Sequence, residues 1–495
     1  MWDREFWIKK AEENKPEIKH EKIYPVENFD KRELHTGDSI VMDFGNHYVG
    51  HFSFHGITAG SPQDAPVFLK LKFCESKREL SEDSTNYHGW ISRGWIQEEW
   101  LHIDVLPAEI RMPRRYAFRY VKIDIVDVSS KFSLIIDDAY VDAVTSADDS
   151  VVEKFDGNEI EKAIDKVSIR TLRNCMQDVF EDGPKRDRRL WIGDLRLQAL
   201  TNAATYKDYD LVKRCLYLFA GCTDDNGRVT ACIFTKPEII GDDTYMFDYS
   251  LFFIACLEDY VRFSKDYETG KDLLKVAIRQ WELSSNEFDS NEVINDRNEL
   301  GWCFIDWNLT LNKQAAAQFV YIFSLKKLVA LMEILGETEF ISEINEDIER
   351  KSKAAIDYFY DSDKKIFTSG EEKQISYATQ SWAVIAEVLS EEENREVLQA
   401  VNNDENALKM VTPYMNHVYV EALMKAGMKK EAYNHMIYYW GGMIEDGADT
   451  FYELFNPEDP DESPYGSSIV NSYCHAWSCT PAYFMRLKSL KEGIV

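Results

Sequence analysis

Two periodicities divide the chain. Over roughly the first 145 residues apolar side chains recur every second position, as in half-buried strands. Val67, Leu69, Leu71 and Phe73 alternate with Phe68, Lys70 and Lys72. Leu101, Ile103 and Val105 alternate with His102 and Asp104, and Val121, Ile123 and Ile125 with Lys122 and Asp124. Gly, Pro and Asp/Asn clusters such as Gly60-Ser61-Pro62-Gln63-Asp64 punctuate the runs. One apolar and one polar face per strand predicts an antiparallel β-sandwich over residues 1–150. His47, His51 and His55 fall at even offsets, hence on one sheet face; packed or solvated histidines are expected there rather than a metal site.

Beyond about Asp156 the period changes to that of helices. Ile160, Ala163, Ile164 and Val167 mark one helical face. Further helical segments are expected near 195–206, 210–220, 248–265, 267–283, 313–335, 338–359, 376–389, 392–401, 414–426, 429–440 and 472–488. Gly221, Gly336 and Gly427 sit where helices should stop. About twelve helices in hairpins, without a fixed-period repeat, predict an (α/α)6 six-hairpin toroid over 151–495. Such a fold carries its chemistry in the loops at one mouth.

Composition narrows the function classes. At ~150 residues per domain, 495 residues suggest about three units, fewer where one is a large barrel. Hydrophobic residues at 45% supply a large core and exclude wholesale disorder. Lys+Arg 57 against Asp+Glu 87 leaves a net charge of −30, which repels nucleic acid and anionic membrane. No unbroken apolar run approaches the ~18 residues of a membrane span, and the start, Met1-Trp2-Asp3-Arg4-Glu5-Phe6, has no apolar signal core. Nine scattered cysteines without a Cys-x-x-Cys read as reduced thiols of a cytoplasmic protein. Cys474, His475 and Cys479 lack a fourth ligand at sensible spacing, so no metal is expected.

Phosphate-cradle, dinucleotide, nucleophile-elbow and zincin motifs are absent from the sequence. What remains is three segments rich in carboxylates and aromatics. Asp182-Gly183-Pro184-Lys185-Arg186-Asp187-Arg188-Arg189-Leu190-Trp191-Ile192-Gly193-Asp194 must be a loop, because Gly-Pro cannot continue a helix. Apolar Leu190 and Trp191 suggest that it dives inward, where its charges would need partners; a salt-bridged brace is the alternative. Gly301-Trp302-Cys303-Phe304-Ile305-Asp306-Trp307-Asn308 sets an Asp among indoles. That suits a sugar ring, or equally a core Trp with a helix-capping Asp. Glu445-Asp446-Gly447-Ala448-Asp449-Thr450-Phe451-Tyr452-Glu453 precedes a Pro-rich acidic loop, Asn456 to Pro464, and then Asn471-Ser472-Tyr473-Cys474-His475-Ala476-Trp477.

Taken together, these segments resemble the α-L-rhamnosidases of glycoside hydrolase family 78, whose catalytic domain is a six-hairpin barrel. Asp182 to Asp194 is similar to the family's signature loop, Trp302-x-x-x-Asp306-Trp307 to its W…DW stretch, Gly447 to Glu453 to its G-A-x-T-x-W-E segment, and Ser472 to Ala476 to the stretch after it. Pro113-Arg114-Arg115-Tyr116-Ala117-Phe118-Arg119-Tyr120 resembles the end of the accessory β-sandwich. By this resemblance Asp187 is the general acid and Glu453 the general base. Asp182, Arg186, Trp191, Asp194, Trp302, Asp306, Trp307 and His475 would hold the rhamnose. Asp187 stands where many members carry Glu, and Tyr452 where Trp is usual. The end at Val495 implies a short two-domain form without a C-terminal β-sandwich.

The implied chemistry is hydrolysis of a terminal α-L-rhamnose from small rhamnosides by an inverting exo-acting enzyme, without metal or cofactor. An inverting pair stands roughly 6.5–9.5 Å apart to admit a water. Asp187 must hold a proton near neutral pH, so Arg186 and Arg188 should not both point at it. Two alternatives stay open: another six-hairpin glycosidase, such as one acting on unsaturated uronic acids, and a non-catalytic carbohydrate-binding protein. Expected partners are small glycosides, with no nucleic acid and no membrane; a homodimer is the candidate assembly.

Overall fold

The computed structural model describes residues 3–27, 30–296 and 302–491. Met1, Trp2, Gly301 and Val495, all used in the sequence reading, lie outside the described residues.

Residue 3 opens a helix where only strands were expected. In α1 (Arg4–Glu13) the Asp3 side chain accepts from the Phe6 backbone N–H. Trp7 and Ala11, one turn apart, bury against the helical part of the chain. With two buried positions the segment is too short for its period to register.

Seven strands follow: β1 (Lys19–Ile23), β2 (Ser39–Gly60), β3 (Val67–Cys74), β4 (Glu98–Ile103), β5 (Ala108–Arg111), β6 (Tyr116–Asp127) and β7 (Phe132–Thr145). All pair antiparallel in the order β1-β7-β2-β6-β3-β4, with β5 also on β2. A sandwich suggests two separate sheets, but these ladders run through one. The reason is the 22-residue β2, which pairs β6 along its first half and β5 and β7 along its second. Its register shifts between Asp43 and Tyr48, where Gly45 turns at φ +77°, and again between His55 and Gly56. Phe44, Phe52, Phe73 and Phe118 meet mostly edge to face in the core of this sheet. The alternating residues of β3 and β6 are buried as their period predicts; Val105 falls beyond β4 and is exposed. The three histidines diverge: His47 is fully buried against the helices, while His55 pairs with Asp137 at 2.6 Å.

The helices are α2 (Glu159–Cys175), α3 (Ile192–Ala204), α4 (Tyr209–Gly221), α5 (Phe247–Ser264), α6 (Tyr267–Ser284), α7 (Gln314–Leu335), α8 (Ile341–Phe359), α9 (Tyr377–Ile385), α10 (Glu391–Asn402), α11 (Pro413–Lys425), α12 (Lys429–Glu445), α13 (Pro481–Arg486) and α14 (Lys488–Lys491). Boundaries mostly match those expected to within three residues. α9 ends about four residues before the expected 389 and α12 runs about five past the expected 440; the larger departure is 472–488, where an extended stretch and a 3-10 turn, Ala476–Ser478, precede the short α13. Pro481 lacks an N–H and sits at the first helical position, so the helix starts there. α3 packs on α5, α5 on α7, α7 on α9 and α9 on α11; the 3-10 turn touches both α11 and α3, and α13 packs on α3 and α2. α7 is long and apolar enough by composition to cross a bilayer, a feature masked in the sequence by Gln318, Ser324, Lys326 and Lys327. It is largely buried by its neighbours, as a core helix is.

Candidate active site

Backbone hydrogen bonds draw together the first and third segments and the stretch after the latter. Glu453 N–H donates to Ser472 O at 3.0 Å, His475 N–H to Phe451 O at 2.9 Å and Ala476 N–H to Asp182 O at 2.9 Å. A side chain at Gly183 would press on Ser472 Oγ at 3.1 Å and Cys474 O at 3.2 Å. The signature loop does dive inward: β8 (Leu190–Trp191) pairs with β9 (Cys232–Phe234), and Asp182, Lys185 and Arg186 are buried. It feeds straight into α3, whose Asp194 lies in the first turn near the positive end of the helix dipole. Gly193 admits the Tyr249 ring, which a Cβ would meet at 2.4 Å.

The centre is rich in carboxylates. His475 stands 3.5 Å from Asp194 Oδ1, 3.9 Å from Asp182 Oδ2 and 3.8 Å from Glu453 Oε1. Burial, then the Arg186 charge, pushes its imidazole well below the usual range, so it is neutral. Burial and neighbouring carboxylates, Asp187 and Asp194 for Asp182 and Glu453 for Asp194, push both acids well above theirs. Asp194 Oδ1, His475 Nδ1 and Trp191 Nε1 are buried without a hydrogen-bond partner among the described residues. Such orphaned polar atoms are costly in a packed interior and mark a place prepared for something else to bind.

Glu453 is held differently. Arg186 Nη2 donates to its Oε2, Tyr465 OH to its Oε1 at 2.8 Å, and Arg186 also donates to Tyr465 OH at 2.9 Å and Val470 O at 2.8 Å. Burial raises the Glu453 pKa, while Arg186 and Tyr465 oppose that shift and favour the ionised form. Asp187 is half-buried and its carboxyl has no hydrogen-bond partner among the described residues. Neither flanking arginine is bonded to it: Arg188 reaches Lys185 O at 3.4 Å.

The second segment behaves differently from expectation. Asp306 is buried, and its oxygens accept from Trp307 N, Val411 N, Thr412 N and Thr412 Oγ1 at 2.7–3.1 Å. It braces the entry to α11, where four donors take up its oxygens; burial raises its pKa and those donors oppose the shift. Asp248, not singled out in the sequence, likewise accepts from Phe304 N and Ile305 N. Trp307 does reach the site, edge-on to Tyr465 at 5.7 Å and to Trp477 at 5.5 Å. Trp302 is 70% exposed and stands apart from this aromatic wall. Arg186, expected on the sugar, is instead the clamp on Glu453.

Several members were not legible in sequence. Tyr465 follows the Pro-rich loop and meets Arg186 across 279 residues. Trp477 stacks near His475 at 4.4 Å, and Tyr249 meets Trp191 edge-on at 6.3 Å. Behind the loop lies a fully buried ionic seam with the sheet. Lys185 pairs with Glu79 and donates to Asn471 O at 2.7 Å; Glu75 accepts from Tyr473 N at 2.7 Å and from His47 Nε2 at 2.9 Å. Burial opposes charge on His47, but Cys474 and the Glu75 carboxylate outweigh it, and its pKa rises to about 9. Asn174 Nδ2 lies 2.9 Å from His47 Nδ1 and donates to His47 O at 3.2 Å, so a protonated His47 has its Nδ1–H accepted only when the Asn174 amide turns to present its oxygen. No group of three His, Cys, Asp or Glu is arranged to hold a metal among the described residues.

Residues 7–143 match the glycosyl hydrolase family 78 alpha-rhamnosidase N-terminal domain, and residues 157–488 the bacterial alpha-L-rhamnosidase six-hairpin glycosidase domain. No curated protein sequence matches. Among solved structures, a rhamnosidase from Klebsiella oxytoca with rhamnose bound is 43% identical, with TM-score 0.93, over 97% of this chain and 98% of that one. The family 78 rhamnosidase of Bacillus sp. GL1 shares the fold at 20% identity and TM-score 0.77, over 90% of this chain and 46% of its own. The Streptomyces avermitilis α-L-rhamnosidase complexed with L-rhamnose does so at 15% and 0.68, over 95% and 44%. With both parts of the chain matched and a 43%-identical rhamnosidase superposing end to end, the protein belongs to the α-L-rhamnosidases of glycoside hydrolase family 78.

Proposed function

We propose that this glycoside hydrolase removes terminal α-L-rhamnose from small rhamnosides with inversion, Asp187 acting as general acid and Glu453 as general base. The supporting observation is the contrast between the two carboxyls. Glu453 is clamped by Arg186 and Tyr465, which suits a base that must stay ionised. Asp187, in the same acid cluster, is left free to reach a leaving oxygen. In this reading Asp187 protonates the glycosidic oxygen while Glu453 takes a proton from water on the opposite face of the sugar, the two standing roughly 6.5–9.5 Å apart. Protonated Asp182 and Asp194 can donate to the sugar's hydroxyls, and Trp191 and Trp307 offer apolar walls to the deoxy ring. The rhamnose held by the Klebsiella oxytoca relative supports the choice of sugar. A uronate reader would keep a guanidinium for the substrate; Arg186 is already taken up by Glu453, Tyr465 and Val470 O, which counts against Arg186 in that part.

The ring-like packing of α3, α5, α7, α9, α11 and the Ala476–Ser478 turn supports a closed (α/α)6 toroid, with a division of the chain near residue 150. Nine buried cysteines, none in a disulfide, support a reducing, cytoplasmic setting. The test is hydrolysis of p-nitrophenyl α-L-rhamnoside beside a panel of other p-nitrophenyl glycosides, with the first-formed anomer read by proton NMR. Selective release of β-L-rhamnose is expected. Release of the α anomer would overturn inversion, and preference for another glycoside would overturn the substrate.

A further inference from the structure

The sheet part of the chain sends one segment to the rim of this site. Between β3 and β4, Tyr87 OH donates to Tyr465 O at 3.2 Å and Trp90 Nε1 to Pro464 O at 2.9 Å. Gly89 lies flat on the same turn: a Cβ there would meet Tyr465 O at 1.9 Å, a backbone atom that cannot yield. Ile91 and Trp307 pack with Tyr87, Tyr465, Ile469 and Val470 in one small cluster. The segment is thus fixed on the turn that carries Tyr465, the hydroxyl donor to Glu453.

That anchoring leaves Trp90 conspicuous. Its ring centre is 5.6 Å from that of Tyr465, its N–H is already bonded, and the side chain is still 76% exposed. A large indole held in one orientation with its face in water buries little apolar area there, and it loses the rotamer freedom that a surface residue usually keeps. A flat apolar surface one ring away from the clamp on a catalytic carboxylate fits the part of a glycoside that lies outside the sugar pocket.

We propose that Trp90, carried by the N-terminal sheet region, is the platform for the leaving group of the substrate, which presents a flat apolar face to it. Such a face belongs either to an aromatic aglycone or to the C–H side of a second sugar ring. The proposal rests on the assignment of Glu453 as base and goes beyond it by giving the sheet region a part in choosing substrates.

The test compares wild type, Trp90→Ala and Trp90→Phe on p-nitrophenyl α-L-rhamnoside, a rhamnosyl-glucose disaccharide and methyl α-L-rhamnoside, with free rhamnose as competitive inhibitor. Trp90→Ala should lower kcat/KM about three- to tenfold on whichever of the first two carries the preferred face, mainly through KM. It should leave methyl rhamnoside and the rhamnose inhibition constant within about twofold of wild type. Trp90→Phe, which keeps a ring and loses the N–H, should retain most of the wild-type value. A loss on the aryl substrate alone assigns an aromatic aglycone, and a loss on the disaccharide alone a sugar. Equal losses on all three substrates, or weakened rhamnose inhibition, would mean that Trp90 acts through Tyr465, and the proposal fails. It fails also if Trp90→Ala matches wild type throughout. A wild type active on none of the rhamnosides would instead sink the functional assignment, and this proposal with it.

Discussion

Two buried charge clusters lie on either side of the signature loop, and they are built to opposite ends. In the seam, His47, Glu75, Lys185 and Glu79 form two cations against two anions, each with a partner. In the site, Asp182, Asp187, Asp194 and Glu453 face a single bonded arginine and a neutral histidine. The first arrangement is the only way to bury four charges without leaving one uncompensated. The second cannot ionise fully, so it must keep protons and orphaned atoms. A paired cluster holds shape; an unpaired one holds chemistry.

The comparison breaks most visibly at Glu453. Glu453→Gln keeps the shape but removes the base, and kcat/KM should fall about 10²–10⁴-fold on an aryl rhamnoside and a disaccharide alike. Asp187→Asn should lose a similar factor on the disaccharide but much less on p-nitrophenyl rhamnoside, whose leaving group needs little protonation. Since the Asp187 carboxyl bonds to nothing described, its melting temperature should stay at the wild-type value. Near-normal turnover of the disaccharide by Asp187→Asn would pass the role of acid to Asp182 or Asp194.

Lys185→Met should act the other way, costing about 3–5 kcal/mol of stability in denaturant titration because Glu79 is left buried without a countercharge. The double change Lys185→Met with Glu79→Met should recover much of that loss. If the single change is silent, the seam is not a paired unit.

The clusters also differ in the pH window over which they matter. Asp182 and Asp194 keep protons in the fold that the unfolded chain releases near pH 4, so stability falls as pH rises from there. Asp194→Asn should flatten that slope. His47 has a raised pKa, so its contribution is full below about 6.5 and disappears as pH rises through about 9; it amounts to on the order of 3 kcal/mol. His47→Gln should remove that alkaline loss of stability, and an unchanged slope between those pH values would refute the pairing.

Much of this was legible in sequence where the signal was local. Period two found β3, β4 and β6, and period 3.6 most helices, because burial on one face constrains near neighbours. The Asp182–Asp194 loop announced itself by Gly-Pro and by charges beside apolar residues. Contacts across 106 and 279 residues gave no such sign: Glu79 on Lys185 and Tyr465 on Arg186 join segments that the sequence keeps apart. Asp306 shows the converse. An Asp between indoles looks the same whether it binds a sugar or caps a turn, and only the donors of Val411 and Thr412 decide it.

The ties across the seam also govern how the protein can be taken apart. Besides Lys185, Glu181 is held by Arg115 and Asp446 by Arg78, each a helical-part acid met by a sheet-part base. Cutting near residue 150 would strand all three at once, each in or beside a segment that carries Asp182 or Glu453. The helical part expressed alone should therefore be insoluble or inert even though it contains every proposed catalytic side chain. Exchanging the sheet part for a relative's would succeed only if the bases at 78 and 115 and the acid at 79 came with it. Recombination has to treat the two parts as one heritable block.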